Sequence, residues 1–317
     1  MTQQSTQGSK IVAFGHYQPS RVLTNDDLAQ MVETSDEWIQ SRVGIKERRI
    51  ADGETVADMA SFAAEKALAS SGLSAGDIDL VIVATCSAAD RSPNVACRVA
   101  ARLGLSRPAA FDLNTACSGF SYGLANADHA IRAGAARHAI VIGVEKLSEI
   151  TDWSDRSTCV IFGDGAGAAV VTAVSEGEEA GIGPVVWGSD PSEAIAIEGW
   201  RPYIVQEGQK VFRWATTSVP AIAVEACNRA GVTPGDLGGF VPHQANLRII
   251  EPLARKLGVD PTVVARDIVE SGNTSAASIP LALSKMIERG EIKSGAPVLL
   301  VGFGGGLTYA GQVVRCP

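Results

Sequence analysis

The sequence repeats itself at a constant spacing, and this repeat constrains the fold more than any other feature. Four pairs of positions lie 159 residues apart (231 minus 72, for example): Gly72 and Gly231, Asp77 and Asp236, Asn114 and Asn273, Gly143 and Gly302. A register that is kept over roughly 70 residues indicates a duplicated structural unit rather than chance. We therefore expect two similar halves, covering residues 1–174 and 175–317.

Each repeat alternates amphipathic helices with short apolar strands, a pattern typical of α/β folds with helices packed on sheets. In the first repeat, the pattern predicts helices near 55–71, 94–104 and 117–133, and strands near 80–85, 109–113 and 138–145. In the second, it predicts helices near 216–230, 244–257 and 275–289, and strands near 237–242 and 296–302. The intervening segment 187–210 has weak periodicity, which predicts a loop or flap.

Composition excludes several classes of protein. A chain of 317 residues with 46% hydrophobic and 20% charged residues can build a large core, so wholesale disorder is excluded. A net charge of −8 argues against nucleic-acid binding. The chain has no apolar stretch of membrane-spanning length and begins without a secretory signal, so we expect a cytoplasmic protein without membrane contact. Six cysteines without a C-x-x-C pair, and four histidines, predict neither disulfides nor a metal site.

Cys117 is the strongest candidate for a nucleophile. It stands in N-T-A-C-S-G-F, where an apolar strand ends and a helix begins. The positive end of the helix dipole lowers a thiol pKa below its usual value of about 8.5 and favours the thiolate. Four other cysteines fall in apolar runs, for which burial is the simpler interpretation: Cys86, Cys97, Cys159 and Cys227.

His243 and Asn273 are candidate partners of this thiol. His243 follows an apolar strand, and catalytic groups gather at the carboxyl ends of strands in α/β folds. Asn273 precedes a helix, where asparagine alone would serve as a cap. The 159-residue spacing maps Cys117 onto Ala276, just after Asn273. If a pseudo-twofold axis relates the halves, the two helix starts meet, and a Cys-His-Asn site is the leading hypothesis.

Glycine-rich segments suggest further roles and one competing function. Gly304, Gly305 and Gly306 follow a strand and can bring backbone N–H groups close to a substrate oxygen. The run G-D-G-A-G-A at 163–168 lacks the context of a dinucleotide site and is interpreted as structural. The motif G-F-S-Y-G would make Ser121 an esterase nucleophile with Asp236 and His243, although Ser121 falls inside a predicted helix. A non-catalytic binding protein also remains an alternative.

Seven segments in order resemble the ketoacyl-acyl-carrier-protein synthase III family of the thiolase-like superfamily. They lie at 34–50, 114–120, 155–170, 211–215, 241–250, 271–278 and 302–308. The resemblance implies a five-layered αβαβα sandwich of two duplicated halves, a homodimer, acyl-CoA and malonyl-acyl carrier protein as substrates, and no cofactor. Asn273 disfavours the Cys-His-His branch of condensing enzymes. A priming synthase of a polyketide pathway remains the nearest alternative.

The resemblance also implies roles for individual residues. Cys117 would carry the acyl group, the N–H groups of Cys117 and Gly305 would form the oxyanion hole, and His243 and Asn273 would bind the malonyl thioester. Phe303 would favour decarboxylation by excluding water. Residues implied in CoA binding are Trp38, Arg42, Arg156, Gly208, Phe212 and Asn246. The K-E-R-R run at 46–49 is expected to be ordinary solvated surface.

Two surface features concern specificity. Acyl carrier proteins are acidic, so an enzyme of net charge −8 needs a local basic face, which Arg248, Arg255 and Lys256 would supply. Ser92 stands where many family members carry a bulky aromatic that reaches the partner's acyl pocket. The smaller side chain predicts room for branched or longer acyl groups.

Overall fold

The computed structural model describes residues 8–90, 92–198 and 201–317, and in these ranges it contains two mixed sheets and two antiparallel pairs of strands. The strands are β1 Ser9–Tyr17, β2 Arg21–Thr24, β3 Glu47–Ile50, β4 Leu80–Ala84, β5 Ala109–Leu113, β6 His138–Glu145, β7 Gly165–Ala173, β8 Val186–Ser192, β9 Ile195–Glu198, β10 Arg201–Gln206, β11 Gly239–Pro242, β12 Pro297–Gly304 and β13 Gly306–Arg315. The helices are α1 Asn25–Ala29, α2 Asp36–Val43, α3 Val56–Ser71, α4 Val95–Arg102, α5 Gly119–Arg132, α6 Arg156–Cys159, α7 Gly208–Arg229, α8 Leu247–Leu257, α9 Ile268–Ser271 and α10 Ser278–Glu288.

The two sheets repeat one strand order. The first sheet runs β1-β7-β6-β4-β5, with β4 parallel to β5 and β6, and with β7 antiparallel to its neighbours. The second runs β8-β13-β12-β11, with β11 parallel to β12 and β13 antiparallel to its neighbours. Thus β8, β13, β12 and β11 correspond to β1, β7, β6 and β4. Where β11 would pair with a counterpart of β5 there is only an isolated parallel bridge between Phe240 and Val264, and the short helix α9 follows it.

Helices form three layers around these sheets. Helices α5 and α10 lie between the sheets, α3 and α4 cover the outer face of the first sheet, and α7 and α8 cover the outer face of the second. All five residues of β4 are buried, as expected for a strand with helices on both faces. The predicted αβαβα sandwich is confirmed, while the exact boundary at residue 174 stays a prediction. Within the described ranges, no helix is long and apolar enough to cross a membrane.

The prediction of a loop at 187–210 is wrong. Strand β8 occupies its first part and pairs with β13, and β9 and β10 form a hairpin after it. Strand β8 is an edge strand with several exposed residues, including Asp190 and Pro191, so it lacks the apolar alternation of a core strand. Helix α7 also begins at Gly208 rather than near 216.

The expectation of a solvated surface for residues 46–49 is wrong for Arg48, which is fully buried. Its guanidinium donates hydrogen bonds to the carbonyls of Leu23 (3.3 Å) and Val160 (2.8 Å) and to Asn25 Oδ1 (2.8 Å). Burial lowers the pKa of Arg48 to about 10. Because Val160 is 112 residues from Arg48 in sequence, Arg48 ties the β2–β3 strand pair to the segment after α6.

Reciprocal contacts of two glycines join the halves. A Cβ on Gly143, in β6, would overlap the carbonyl of Ala276, and a Cβ on Gly302, in β12, would lie 2.9 Å from the Cα of Ser118. Ala276 and Ser118 belong to 3-10 turns, Ser275–Ala277 and Ala116–Ser118, that precede α10 and α5. Each half therefore packs its turn against the central strand of the other half, as a pseudo-twofold axis requires.

We expect Gly143→Ala to destabilise the protein by about 1–3 kcal/mol, because the new methyl group meets backbone that cannot rotate away. Chemical denaturation measures the loss. Gly235→Ala is the matched control, since its nearest atom, Thr233 Oγ1, would be 3.7 Å away. Equal stability of the two variants would contradict this packing.

Candidate active site

Cys117 lies in the 3-10 turn between β5 and α5, as the sequence predicts. The preceding residue, Ala116, has φ +46°, a left-handed conformation that costs energy for a residue with a side chain. Asn114 Oδ1 supports this conformation by accepting a hydrogen bond from the Ala116 N–H at 3.1 Å. The turn therefore holds the thiol at a fixed position at the start of the helix.

The end of β12 lies directly against the Cys117 thiol. A Cβ on Gly304 would be 2.8 Å from Cys117 Sγ, so only glycine allows this approach. The backbone N–H of Gly305 and that of Cys117 itself lie close enough to the sulfur to lower its pKa. These two N–H groups can also reach the oxygen of an acyl group bonded to the sulfur, which is the geometry of an oxyanion hole.

The expected lowering of the Cys117 pKa is wrong. Burial of the thiol raises the pKa to about 11, and the charge of Glu145 adds to this effect. The hydroxyl of Ser275 and the N–H of Gly305 oppose it but do not outweigh it. The helix dipole favours the thiolate and lowers the pKa of Cys117, but the loss of water around the sulfur raises this pKa by more. The resting residue is therefore a thiol at neutral pH.

His243 follows β11 and is almost fully buried. Its Nδ1 lies 2.8 Å from Ser278 Oγ, which also accepts a hydrogen bond from the Gln244 N–H at 3.3 Å. Ser278 can therefore donate its hydrogen to Nδ1, which leaves Nε2 as the N–H donor. Burial lowers the pKa of His243 to about 3, so the ring stays neutral.

Asn273 repeats the arrangement of Asn114 in the second half. Its Oδ1 accepts a hydrogen bond from the Ser275 N–H at 2.8 Å, and Ser275 has φ +47°. The capping role expected for asparagine is thus present. In the described part of the chain no acceptor engages Asn273 Nδ2, so this amide is free to donate to a substrate. A Cβ on Gly119 would lie 3.3 Å from Ala276 Cβ, so the two helix starts do meet.

Phe303 connects the histidine to the thiol. Its ring is fully buried and meets the His243 ring edge-on, with centroids 5.4 Å apart and planes at 77°. The next residue, Gly304, contacts Cys117. Consecutive residues of β12 therefore touch the two predicted catalytic side chains, and the Phe303 ring keeps the histidine in an apolar environment.

Residues implied in CoA binding form a second group. The guanidinium of Arg156 lies 4.6 Å from the Trp38 ring centroid, and that of Arg42 lies 6.0 Å from it. Arg156 also donates a hydrogen bond to the carbonyl of Glu33 at 2.8 Å. Cationic side chains over an indole suit a phosphorylated ligand with an aromatic ring. An adenine ring inserted between Trp38 and Arg156 would have to displace the guanidinium.

Helix α8 carries the continuation of this group. Asn246 caps the helix and donates a hydrogen bond from Nδ2 to the Arg42 carbonyl at 3.2 Å. The guanidinium of Arg248 lies 5.9 Å from the ring centroid of Phe212, which is exposed on α7, one turn after Gly208. The predicted CoA residues thus lie on α2, α6 and α7 and at the start of α8.

The other predicted residues lie outside these two groups. Ser92 is exposed on the segment before α4, and Arg255 and Lys256 are exposed in the last turn of α8. The esterase alternative is wrong: Ser121 Oγ is buried without a hydrogen-bond partner, whereas Asp236 is exposed and accepts a hydrogen bond from Thr233. The three members of that triad do not assemble.

The sequence analysis missed three residues near the predicted nucleophile: Glu145, Ser275 and Ser278. Glu145 is fully buried at the carboxyl end of β6. The sequence did hold a signal for Glu145, because this carboxylate ends the apolar strand A-I-V-I-G-V-E. Catalytic groups gather at the carboxyl ends of such strands. The two serines belong to S-G-N-T-S-A-A-S, in which only the asparagine was considered.

Comparison with known proteins decides the family. The profiles described as "3-Oxoacyl-[acyl-carrier-protein (ACP)] synthase III" and its C-terminal part match residues 111–191 and 227–316. Beta-ketoacyl-[acyl-carrier-protein] synthase III 2 of Streptomyces avermitilis is 66% identical over 98% of this chain and 99% of its own length. The chain belongs to the beta-ketoacyl-[acyl-carrier-protein] synthase III family. Synthase III 4 of Streptomyces coelicolor is also 66% identical, over the same shares of both chains.

Solved structures of synthase III enzymes agree with the fold. The synthase III of Aquifex aeolicus superimposes with a TM-score of 0.93 at 45% identity, over 97% of this chain and 100% of its own. The priming beta-ketosynthase of the R1128 polyketide pathway superimposes with a TM-score of 0.96 at 40% identity, over 100% of this chain and 98% of its own. The protein is therefore a condensing acyltransferase with a thiolase-like fold.

We expect the decarboxylation of malonyl thioester by this synthase to be independent of pH between about 5.5 and 7.5, because His243 stays neutral far below the usual histidine range. Carbon dioxide release by the acyl-free enzyme measures this step. A loss of rate as the pH falls through about 6.5 would mean that the ring titrates normally and would contradict the buried, neutral assignment.

Proposed function

We propose that this synthase III transfers an acyl group from acyl-CoA to Cys117 and condenses it with malonyl-acyl carrier protein to start fatty-acid synthesis. The product is a 3-oxoacyl chain on the carrier protein, and carbon dioxide is released. The observation that supports this most is the placement of a thiol, two backbone N–H groups and two neutral side-chain donors around one point. We propose that the reaction needs no cofactor and no metal.

In the first half-reaction, Cys117 Sγ attacks the thioester carbonyl of acyl-CoA. The carbonyl oxygen takes negative charge and accepts hydrogen bonds from the N–H groups of Cys117 and Gly305. Collapse of the tetrahedral intermediate breaks the bond to the CoA sulfur and leaves an acyl thioester on Cys117. The CoA residues on α2, α6, α7 and at the start of α8 hold the nucleotide while this transfer takes place.

In the second half-reaction, malonyl thioester replaces CoA. Nε2 of His243 and Nδ2 of Asn273 donate to its carbonyl oxygen, and the loss of carbon dioxide leaves an enolate at that oxygen. Phe303 keeps water from the region, which disfavours a charged carboxylate more than the neutral product. The enolate carbon then attacks the acyl group on Cys117, and the thiolate leaves as the new carbon–carbon bond forms.

A priming role in a polyketide pathway is the second candidate. The TM-score of 0.96 with the R1128 priming ketosynthase favours it. Both candidates use the same chemistry, so they differ in the carrier protein and not in the site. Condensation of labelled acyl-CoAs with malonyl groups on a fatty-acid carrier protein and on a polyketide carrier protein compares them directly.

We also propose a homodimer in which two copies pair through β5. This strand ends the first sheet, so one of its edges has no partner strand in the described chain. The side chain of Phe111, in the middle of β5, is 40% exposed. Free strand edges and exposed aromatics are typical of surfaces that pair with another chain. Ser92, exposed on the segment before α4, would then reach the acyl pocket of the partner and leave room for longer acyl groups.

Cys117→Ala, His243→Ala and Asn273→Ala should separate the two half-reactions. We expect Cys117→Ala to lose acylation by acetyl-CoA completely, because it lacks the sulfur. His243→Ala and Asn273→Ala should still gain the mass of one acetyl group but lose carbon dioxide release from malonyl-carrier protein. Intact-protein mass spectrometry and carbon dioxide release provide the readouts. Acylation of Cys117→Ala at the wild-type rate would refute the proposed function.

Arg248→Glu should weaken the use of malonyl-carrier protein far more than the use of acyl-CoA, because the carrier protein is acidic and Arg248 is exposed at the mouth of the site. High salt should reduce the difference between wild type and variant. Arg137→Glu is the control, since Arg137 is exposed before β6, at the end of the strand opposite to Glu145. Equal losses with both substrates would argue against a docking role.

A further inference from the structure

A buried carboxyl group lies beside the nucleophile, and the proposed chemistry does not use it. Glu145 Oε2 accepts hydrogen bonds from Thr85 Oγ1 at 3.1 Å and Ser87 Oγ at 2.5 Å. The backbone N–H of Cys86 donates to the same oxygen at 3.1 Å, and the Cys86 thiol donates to Oε1 at 3.3 Å. These donors hold the group in its carboxylate form, which is the form that can accept a proton.

No cation balances this carboxylate within the described ranges. The neighbouring Lys146 turns away, with Nζ 2.7 Å from Glu149. The nearby buried Asp164 is also held elsewhere, by the Ala51 N–H at 2.8 Å and by Ser148. Burial without a counter-ion raises the pKa of Glu145 above the ordinary glutamate range. Its affinity for a proton is therefore higher than that of an exposed carboxylate.

Ser275 belongs to the Ser275–Ala277 turn, which packs against Gly143, two residues before Glu145, and against Gly119, two residues after Cys117. Its hydroxyl is buried and makes no full hydrogen bond in the resting structure. It nevertheless lies close enough to affect the thiol of Cys117 and the carboxyl of Glu145. The left-handed backbone of Ser275, held by Asn273, fixes the position of this hydroxyl. A hydroxyl can accept one proton while it donates another, so Ser275 has the properties of a relay.

The other basic group of the site is poorly suited to take the proton of Cys117. His243 Nδ1 is engaged by Ser278, and the ring is too buried to carry a positive charge easily. Yet Cys117 is a thiol at rest, and its proton must leave as the sulfur attacks. The acceptor must therefore be another group that reaches the sulfur directly or through one hydroxyl.

We propose that Ser275 and Glu145 form a proton relay for acylation of Cys117. As the sulfur bonds to the acyl carbon, its proton passes to Ser275 Oγ, and the Ser275 proton passes to the Glu145 carboxylate. When the bond to the CoA sulfur breaks, the proton returns by the same route to the departing thiolate. The products are acyl-Cys117 and CoA thiol, with Glu145 ionised again. This inference rests on the proposed acyl transfer.

The relay predicts a specific pH dependence. Acylation should slow as the pH falls through the raised pKa of Glu145, because a protonated carboxyl cannot accept the thiol proton. The titratable groups facing Glu145 are the Cys86 thiol, after β4, and the Cys117 thiol, before α5. The turn before α10 contributes the uncharged Ser275. Both thiols are neutral in the acidic range, so we assign the pH dependence of acylation to Glu145.

Single-turnover acylation of the full-length enzyme by acetyl-CoA, measured from pH 5 to 8, tests the relay. Glu145→Gln and Ser275→Ala should each acylate about 10- to 100-fold more slowly than wild type, and Glu145→Gln should lose the acidic decline. Carbon dioxide release from malonyl-carrier protein should change less than about threefold in both variants, since no thiol proton moves in that step. Glu145→Asp should restore the acidic decline because it keeps a carboxylate.

Ser121→Ala is the matched control, because it also removes a buried hydroxyl that has no hydrogen-bond partner. It should acylate at the wild-type rate. Wild-type acylation by both relay variants would overturn the proposal, and so would equal losses in acylation and decarboxylation, which would indicate a structural role. If Glu145→Gln fails to fold, Ser275→Ala and Glu145→Asp still decide the question. Failure of the wild-type enzyme to acylate would instead refute the proposed function.

Discussion

The close approach of two glycines to two turns is the contact on which the rest of the structure depends. Gly143 admits the Ser275–Ala277 turn and Gly302 admits the Ala116–Ser118 turn. Each contact places the backbone of a turn from one half against the sheet of the other half. A side chain at either glycine would push the turn away from the sheet. Residues from both halves consequently share one site, with the thiol supplied by the first half and the two neutral donors by the second.

One physical environment explains the electrostatics of that site. Burial raises the pKa of Cys117, lowers that of His243 and raises that of Glu145, so removal of water disfavours the charged form of all three. A neutral, dry site strengthens hydrogen bonds to any charge that appears there during a reaction. In the proposed reaction the oxyanion and the enolate are such charges, whereas Cys117 and His243 are neutral at rest.

Much of the fold and of the site could be predicted, because both depend on the local hydrophobic pattern of the helices and strands and on the 159-residue repeat. Cys117, His243 and Asn273 each follow or precede an element whose periodicity is clear, and the 159-residue spacing relates their positions. The pKa of Cys117 could not be predicted, because desolvation depends on which distant segments surround the sulfur. The burial of Arg48 could not be predicted for the same reason: its acceptors lie in two segments far apart in sequence, Leu23 with Asn25 and Val160, and a charged run is interpreted as surface until these contacts are known.

The short helix α9 has a consequence for growth of the assembly. If both halves ended in a free strand equivalent to β5, a chain could add copies at two sites related by the pseudo-twofold axis, and such addition need not stop. Ala265 instead donates its N–H to the carbonyl of Phe240 in β11 at 2.9 Å, and the chain then turns into α9. Of the two positions that the repeat relates, only the one in the first half therefore presents a strand with a free edge in the described chain, and for a dimer formed through β5 this favours a closed pair over a fibre.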